Sequence, residues 1–132
     1  MIVLDTSAAL QCLVGSAPDD RLIESVQTSG TIHVPHLIDV EVLSALRGLV
    51  HGRQLSEGRA RDAWFDFDRL RMLRYPLSGL AARVWELRDR MTAYDATFVA
   101  LAQRLVCPLV TCDRKLARAA EADTEVELFA VR

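Results

Sequence analysis

Apolar positions along the chain alternate between short unbroken runs and stretches of helical periodicity. Ile2-Val3-Leu4 is a buried run too short for a helix and reads as a strand, beginning so early that no leader segment is expected before it. Asp5 closes it, with Thr6-Ser7 as the expected caps of a helix from Ser7 to Val14 that stops at Gly15. Ala17-Pro18 is a break, Asp19 or Asp20 caps a second short helix, and Ser29-Gly30 ends it. Thr31 to Val34 reads as a second strand closed by Pro35, and strand, helices, strand is the opening of a parallel βαβ arrangement.

Leu37 to His51 carries the clearest helical pattern, with Ile38, Val42, Leu46, Leu49 and Val50 on one arc and Glu41 at its edge among Leu37, Ala45 and Gly48. Asp39 lies round the wheel and is read as a first-turn acid that complements the helix dipole. Ser56 caps a further helix bearing Ala60, Ala63, Trp64 and Phe67, and Met72-Leu73-Arg74 is a short edge strand stopped by Pro76. The spacing of Leu77, Leu80, Ala81, Val84, Leu87 and Met91 predicts one amphipathic helix. Thr92-x-x-Asp95 resembles a capping box, and the helix it opens, through Val106, is apolar nearly all round and so central. Leu109-Val110-Thr111 is a second buried strand ending in a carboxylate, Asp113, and a helix; Val126 to Phe129 supplies a last strand. The pattern is an α/β sandwich with a largely parallel sheet of four or five strands, in one domain spanning 1–132.

Composition narrows the function. A formal charge of -2 gives no global attraction for nucleic acid, and Lys115 is the only lysine among the cations. Cys12, Cys107 and Cys112 are odd in number and lack CxxC spacing, which argues against a disulfide framework. No run is long and apolar enough for a membrane span, so the chain is read as cytoplasmic. Phosphate-binding GxxxxGK[ST] and GxGxxG loops are absent.

The chemistry lies in four acids. Asp5 and Asp113 stand at strand carboxyl ends, where α/β sheets collect ligands. Asp95 sits in the first turn of the central helix, and Glu41 projects from its own helix beside small residues. If the four meet, their repulsion calls for a cation, and an oxygen-only set favours Mg²⁺ or Mn²⁺. Such a site suits phosphodiester hydrolysis.

The segments Val3-Leu4-Asp5-Thr6-Ser7, Asp39-Val40-Glu41-Val42, Thr92-Ala93-Tyr94-Asp95-Ala96 and Val110-Thr111-Cys112-Asp113 resemble, in order and separation, the motifs of PIN-domain ribonucleases. They are nearest those of the toxins of bacterial VapBC toxin–antitoxin pairs. The resemblance implies a three-layer sandwich with a central, mostly parallel sheet of about five strands. It also implies an endoribonuclease dependent on Mg²⁺ or Mn²⁺, in which Asp5, Glu41, Asp95 and Asp113 match the metal-binding and catalytic acids. Thr6 and Thr111 match hydroxyl positions beside them. It further implies a homodimer silenced by a cognate VapB-type antitoxin, which would lay an amphipathic segment near the first and third helices and direct a basic residue at the acids. DNA would be reached only through that antitoxin. The tail Ala119 to Asp123 departs from the pattern, lacking the glycine expected after the helix.

Arg83, Arg90, Arg114 and Lys115 are the cations expected to hold RNA phosphates. Trp64, Phe65 and Trp85 are candidates for partner surface, though Trp64 fits the core equally. His33-x-x-His36 has metal-like spacing but straddles Pro35 with no third ligand, so both are read as strand-end residues. Two other functions compete. One is a PIN-fold module that binds RNA or protein without cutting, which the presence of all four acids disfavours. The other is a haloacid-dehalogenase-type phosphatase, whose DxDx[TV] signature Asp5-Thr6-Ser7 lacks.

Overall fold

A computed structural model describes residues 1–131. In chain order it contains β1 (Ile2–Leu4), α1 (Thr6–Val14), α2 (Asp20–Thr28), β2 (Ile32–Pro35), α3 (Leu37–His51), α4 (Glu57–Asp68) and β3 (Met72–Tyr75). A 3₁₀ turn (Leu77–Gly79), α5 (Ala81–Glu86), α6 (Ala93–Leu105), β4 (Leu109–Thr111), α7 (Arg114–Ala120) and β5 (Val126–Leu128) follow. The strands form one sheet in the order β3-β2-β1-β4-β5, and every adjacent pair is parallel. Helices flank the sheet, giving the expected three-layer α/β architecture.

The apolar runs are central because both sheet faces are covered: Val3, Val34, Leu109 and Val110 are fully buried. Helix α6 crosses β1, β2 and β4, which is why Ala96, Val99, Leu101 and Ala102 can be apolar on all sides. Helix α5 packs on α6, while α1, α3 and α4 pack together. Ile38, Val42 and Leu46 are the buried stripe of α3, and Phe67 is buried in α4 with Trp64 tilted against it at 5.6 Å between centroids.

The order of the strands fixes where a ligand can bind. The chain runs outward from β1 through β2 to β3, then returns to β4 on the other side of β1. That reversal opens a crevice at the carboxyl ends of β1 and β4. The Asp5 N–H bonds to Val110 O at 3.1 Å, pinning the two strand ends together at its mouth.

Three local expectations are corrected. Asp5 itself, and neither Thr6 nor Ser7, is the N-cap of α1: its side chain accepts from the Ala8 N–H. The single helix expected over Leu77 to Met91 is a 3₁₀ turn and a six-residue helix, since Leu80 between them offers no capping side chain and Arg104 binds the Gly79 carbonyl. Helix α7 ends without glycine: the N–H groups of Asp123 and Thr124 both bond the Ala120 carbonyl, at 2.9 and 3.1 Å, and Arg83 and Arg90 hold the Asp123 side chain. Val106 closes α6 in the left-handed region at φ 52. Among the described residues no helix is long and apolar enough to cross a membrane, and the three cysteines are free thiols.

Candidate active site

Each acid is carried to the crevice by the end of a regular element. Asp5 leaves β1 to cap α1, and Asp113 leaves β4 to cap α7, accepting from the Lys115 and Leu116 N–H groups. Asp95 lies in the first turn of α6 behind the cap Thr92, and Glu41 lies one turn into α3.

Asp5 is the innermost of the four, only 4% exposed. Its Oδ1 accepts from the Ala8 N–H at 2.9 Å and the Ser7 hydroxyl at 2.8 Å, and its Oδ2 from the Thr111 hydroxyl at 2.6 Å. These donors favour the ionised carboxylate, yet burial outweighs them and, with the nearby charge of Asp113, lifts its pKa to about 6. Burial also raises Glu41, with the Asp95 charge adding and the Thr6 hydrogen bond opposing. Asp95 is raised by burial and by Asp113, against the pull of Lys115. The four acids are thus neighbours in one field, from Glu41 through Asp95 and Asp113 to Asp5.

The hydroxyls hold this arrangement. Thr6 Oγ1 donates to Glu41 Oε1 at 2.7 Å, joining α1 to α3. Thr111, fully buried, donates to Asp5 and accepts from the Asp113 N–H at 3.0 Å, so one hydroxyl sets two acids. Ser7 joins the site without having been expected there. Its hydroxyl donates to Asp5 and accepts from the Cys112 N–H at 2.9 Å, binding α1 to the end of β4. The only signal for it in the sequence is a hydroxyl two residues after a strand-end acid, which also describes an ordinary cap.

Thr111→Val is expected to remove both Thr111 bonds at constant shape. Stability should fall by about 1–3 kcal/mol in urea denaturation, and any turnover at the site by about tenfold. Thr111→Ser should recover most of both; equal behaviour of parent and valine variant would remove Thr111 from the site.

The donor set fits a hard divalent cation in kind: carboxylate oxygens, three of the four acids desolvated and set against a like-charged neighbour, with Lys115 drawing on Asp95. The convergence is electrostatic and not yet a coordination cage. Among the described residues no three His, Cys, Asp or Glu side chains are grouped so as to hold an ion by themselves. Mg²⁺ tolerates such openness, since it keeps several waters and typically takes only one or two protein carboxylates.

The cations divide. Lys115 acts on Asp95, and Arg114 is exposed beside Asp113. Arg83 and Arg90 are committed elsewhere: both pair with Asp123, and Arg83 also binds Glu86 and Gln103. Asp39 likewise has a tertiary role, taking Arg74 in a two-point pair at 2.9 Å that ties α3 to β3. His33 has both ring nitrogens engaged, by Tyr75 Oη at 2.7 Å and Thr31 Oγ1 at 2.9 Å, which leaves none for a metal.

Comparison with known proteins follows the same lines. The PIN domain family model matches residues 2–122. The chain is 41% identical over 126 residues to the VapC ribonuclease Mb0985 of Mycobacterium bovis, covering 96% of each. It is 35% identical over 130 residues to ribonuclease VapC12 of Mycobacterium tuberculosis, covering 98% of this chain and all of that one. Among solved structures, FitAcB from Neisseria gonorrhoeae superposes with a TM-score of 0.70 at 18% identity, covering 96% of both chains. VapBC2 from Rickettsia felis, bound to a DNA fragment from its promoter, gives 0.69 at 15% identity over 96% of this chain and 98% of that one.

Proposed function

The chain belongs to the PIN-domain family, and from that premise we propose that it is an endoribonuclease toxin of the VapC kind, dependent on Mg²⁺ or Mn²⁺ and silenced by a cognate antitoxin. The observation that carries the reading is the field of four acids at the crevice between β1 and β4, three of them with raised pKa. An oxygen-only cluster of that kind has no use for a polyanion until a cation offsets its charge.

In the proposed mechanism Asp5, Asp95 and Asp113 would hold the ion. When bound, the ion would acidify a water and offset charge developing on the scissile phosphate. Glu41 orients the attacking water: Thr6 fixes Oε1, which leaves Oε2 to accept from that water. Thr111 and Ser7 keep Asp5 in place, and Lys115 draws the phosphate towards the acids. The dehalogenase-type alternative has no second acid two residues after Asp5, since Ser7 stands there.

The partners have candidate surfaces. A groove of about 360 Å³ between α3 and α4, lined by Leu43, Val50, Ala60 and Trp64 and rimmed by Arg47 and Arg61, suits the amphipathic segment of an antitoxin; it uses the third helix as expected, with the fourth in place of the first. Contact with promoter DNA would come through that antitoxin. Leu77, Trp85 (67% exposed) and Tyr94 border adjoining apolar hollows by α5 and α6, a surface suited to the second copy of a homodimer. A monomer in sedimentation at tens of micromolar would dismiss that pairing.

Purified protein is expected to cut single-stranded or transfer RNA with Mg²⁺ or Mn²⁺, to stop in EDTA, and to stop when the antitoxin is added. Cutting that continues in EDTA would refute the metal dependence. RNA bound but never cut, under any divalent ion, would favour the non-cutting module.

A further inference from the structure

Four acids at a cleavage site repel the RNA they are meant to cut, so cations alongside must supply the affinity. Several guanidinium groups are already committed within the protein. Arg74 is held by Asp39, Arg83 and Arg90 by Asp123, Arg88 lies over the Trp85 ring, and Arg104 binds the Gly79 carbonyl. Next to the acids, Arg114 and Arg118 are both exposed, and neither has an ion pair among the described residues.

These two arginines face a common space. They stand one helical turn apart on α7, along one side of a cleft of about 410 Å³ that is also lined by Val126 and Leu128 of the edge strand β5 and by Ala130 just beyond it. Arg21, at the start of α2, lines the same cleft; it is 75% exposed although it pairs with Asp19. Arg114, which lines the cleft, directly follows Asp113 in the chain, so the first residue of α7 links the cleft to the acids. Glu121 is the one acid in its lining, at the far end of α7 from Asp113. One helical turn is a rise of about 5.4 Å along the axis, so the two guanidinium groups can serve successive points on an extended ligand.

We infer that the cleft between α7, β5 and the start of α2 is a track for the phosphate backbone of single-stranded RNA. In it Arg114, Arg118 and Arg21 grip nucleotides beyond the scissile bond. This rests on the ribonuclease reading and extends it, by assigning the surface along which the strand leaves the site. Arginine suits the task because its planar fork binds phosphate oxygens at two points.

The test uses the full chain in the Asp5→Asn background, where cleavage is slow enough for binding to be read, with a labelled trinucleotide and a single strand roughly 20 nucleotides long. Arg114→Ala/Arg118→Ala is expected to weaken binding of the long strand about tenfold near 50 mM salt. It should also flatten the plot of log affinity against log salt by about 1.4, or ~0.7 for each phosphate no longer neutralised. Trinucleotide binding should change by no more than about twofold, and the long-strand effect should vanish at high salt. Arg59→Ala, an exposed position on α4, removes a charge away from the cleft and should leave both slopes unchanged. An unchanged slope in the double variant, or equal weakening for both lengths, would overturn the inference while leaving the nuclease assignment standing. Loss of antitoxin capture with an unaltered RNA slope would overturn it too and assign the cleft to a protein partner. A parent protein that neither binds nor cuts RNA would bring down the ribonuclease reading and the track together.

Discussion

Asp5→Asn is expected to lower ribonuclease turnover at least about 100-fold, some 2.7 kcal/mol of transition-state stabilisation, while leaving the protein folded. The two halves of that result have separate causes. Asn keeps a carbonyl oxygen for the Ala8 N–H, so α1 keeps its cap, and Asn ranks with Asp as a capping residue. It cannot carry the negative charge that binds a hard cation, and its NH₂ group would meet the Ser7 or Thr111 hydroxyl where a carboxylate oxygen accepted it. Initial rates on a labelled RNA with saturating Mn²⁺, beside a circular dichroism melt, measure both. Activity within a few-fold of the parent would remove Asp5 from the metal site and with it the mechanism.

The second large effect is a fall in the stability of the metal-free protein as pH rises. Asp5 titrates near 6 in the folded chain against an ordinary 3.8, so the native state holds a proton that the unfolded chain has released. Its contribution is therefore complete below the unfolded value and lost as pH climbs through about 6, a difference of about 3 kcal/mol. Glu41 and Asp95 are raised as well and push in the same direction. Other groups titrate in this range, so the measurement is a difference: urea midpoints of parent and Asp5→Asn, in EDTA, from pH 4 to pH 8. The parent should lose ground to the variant with rising pH and then level off. At pH 8, Mg²⁺ should restore the parent by about 2.7 kcal/mol at a hundredfold excess over its dissociation constant, and the variant far less. A gap between the two proteins that does not move with pH would mean that Asp5 ionises as freely as an exposed acid.

Much of this arrangement is legible in the residues, for reasons that differ by element. Val3 and Val110 announce buried strands because a parallel sheet covered on both faces needs unbroken apolar runs. The acids at the ends of those runs stand out because a charge beside a buried strand requires an explanation. What stays hidden depends on contacts distant in sequence. Nothing near Arg83 or Arg90 indicates that Asp123, 40 and 33 positions on, will occupy both. Asp5 ranks with Ser as a capping residue, so capping preference alone does not say which of Asp5, Thr6 and Ser7 begins α1. The break at Leu80 escapes notice because Leu77, Leu80, Val84 and Leu87 keep helical spacing through a 3₁₀ turn. The family resemblance assigns the acids, and the hydrogen bonds of Thr111 and Ser7 explain how two of them are kept in position.

Because the proposed mechanism gives its chemistry to the same side chain that starts the first helix, this fold can be disarmed without being dismantled. A lineage that exchanged Asp5 for its amide would keep a decoy with every outer surface unaltered, still able to soak up the inhibitor made for its active kin.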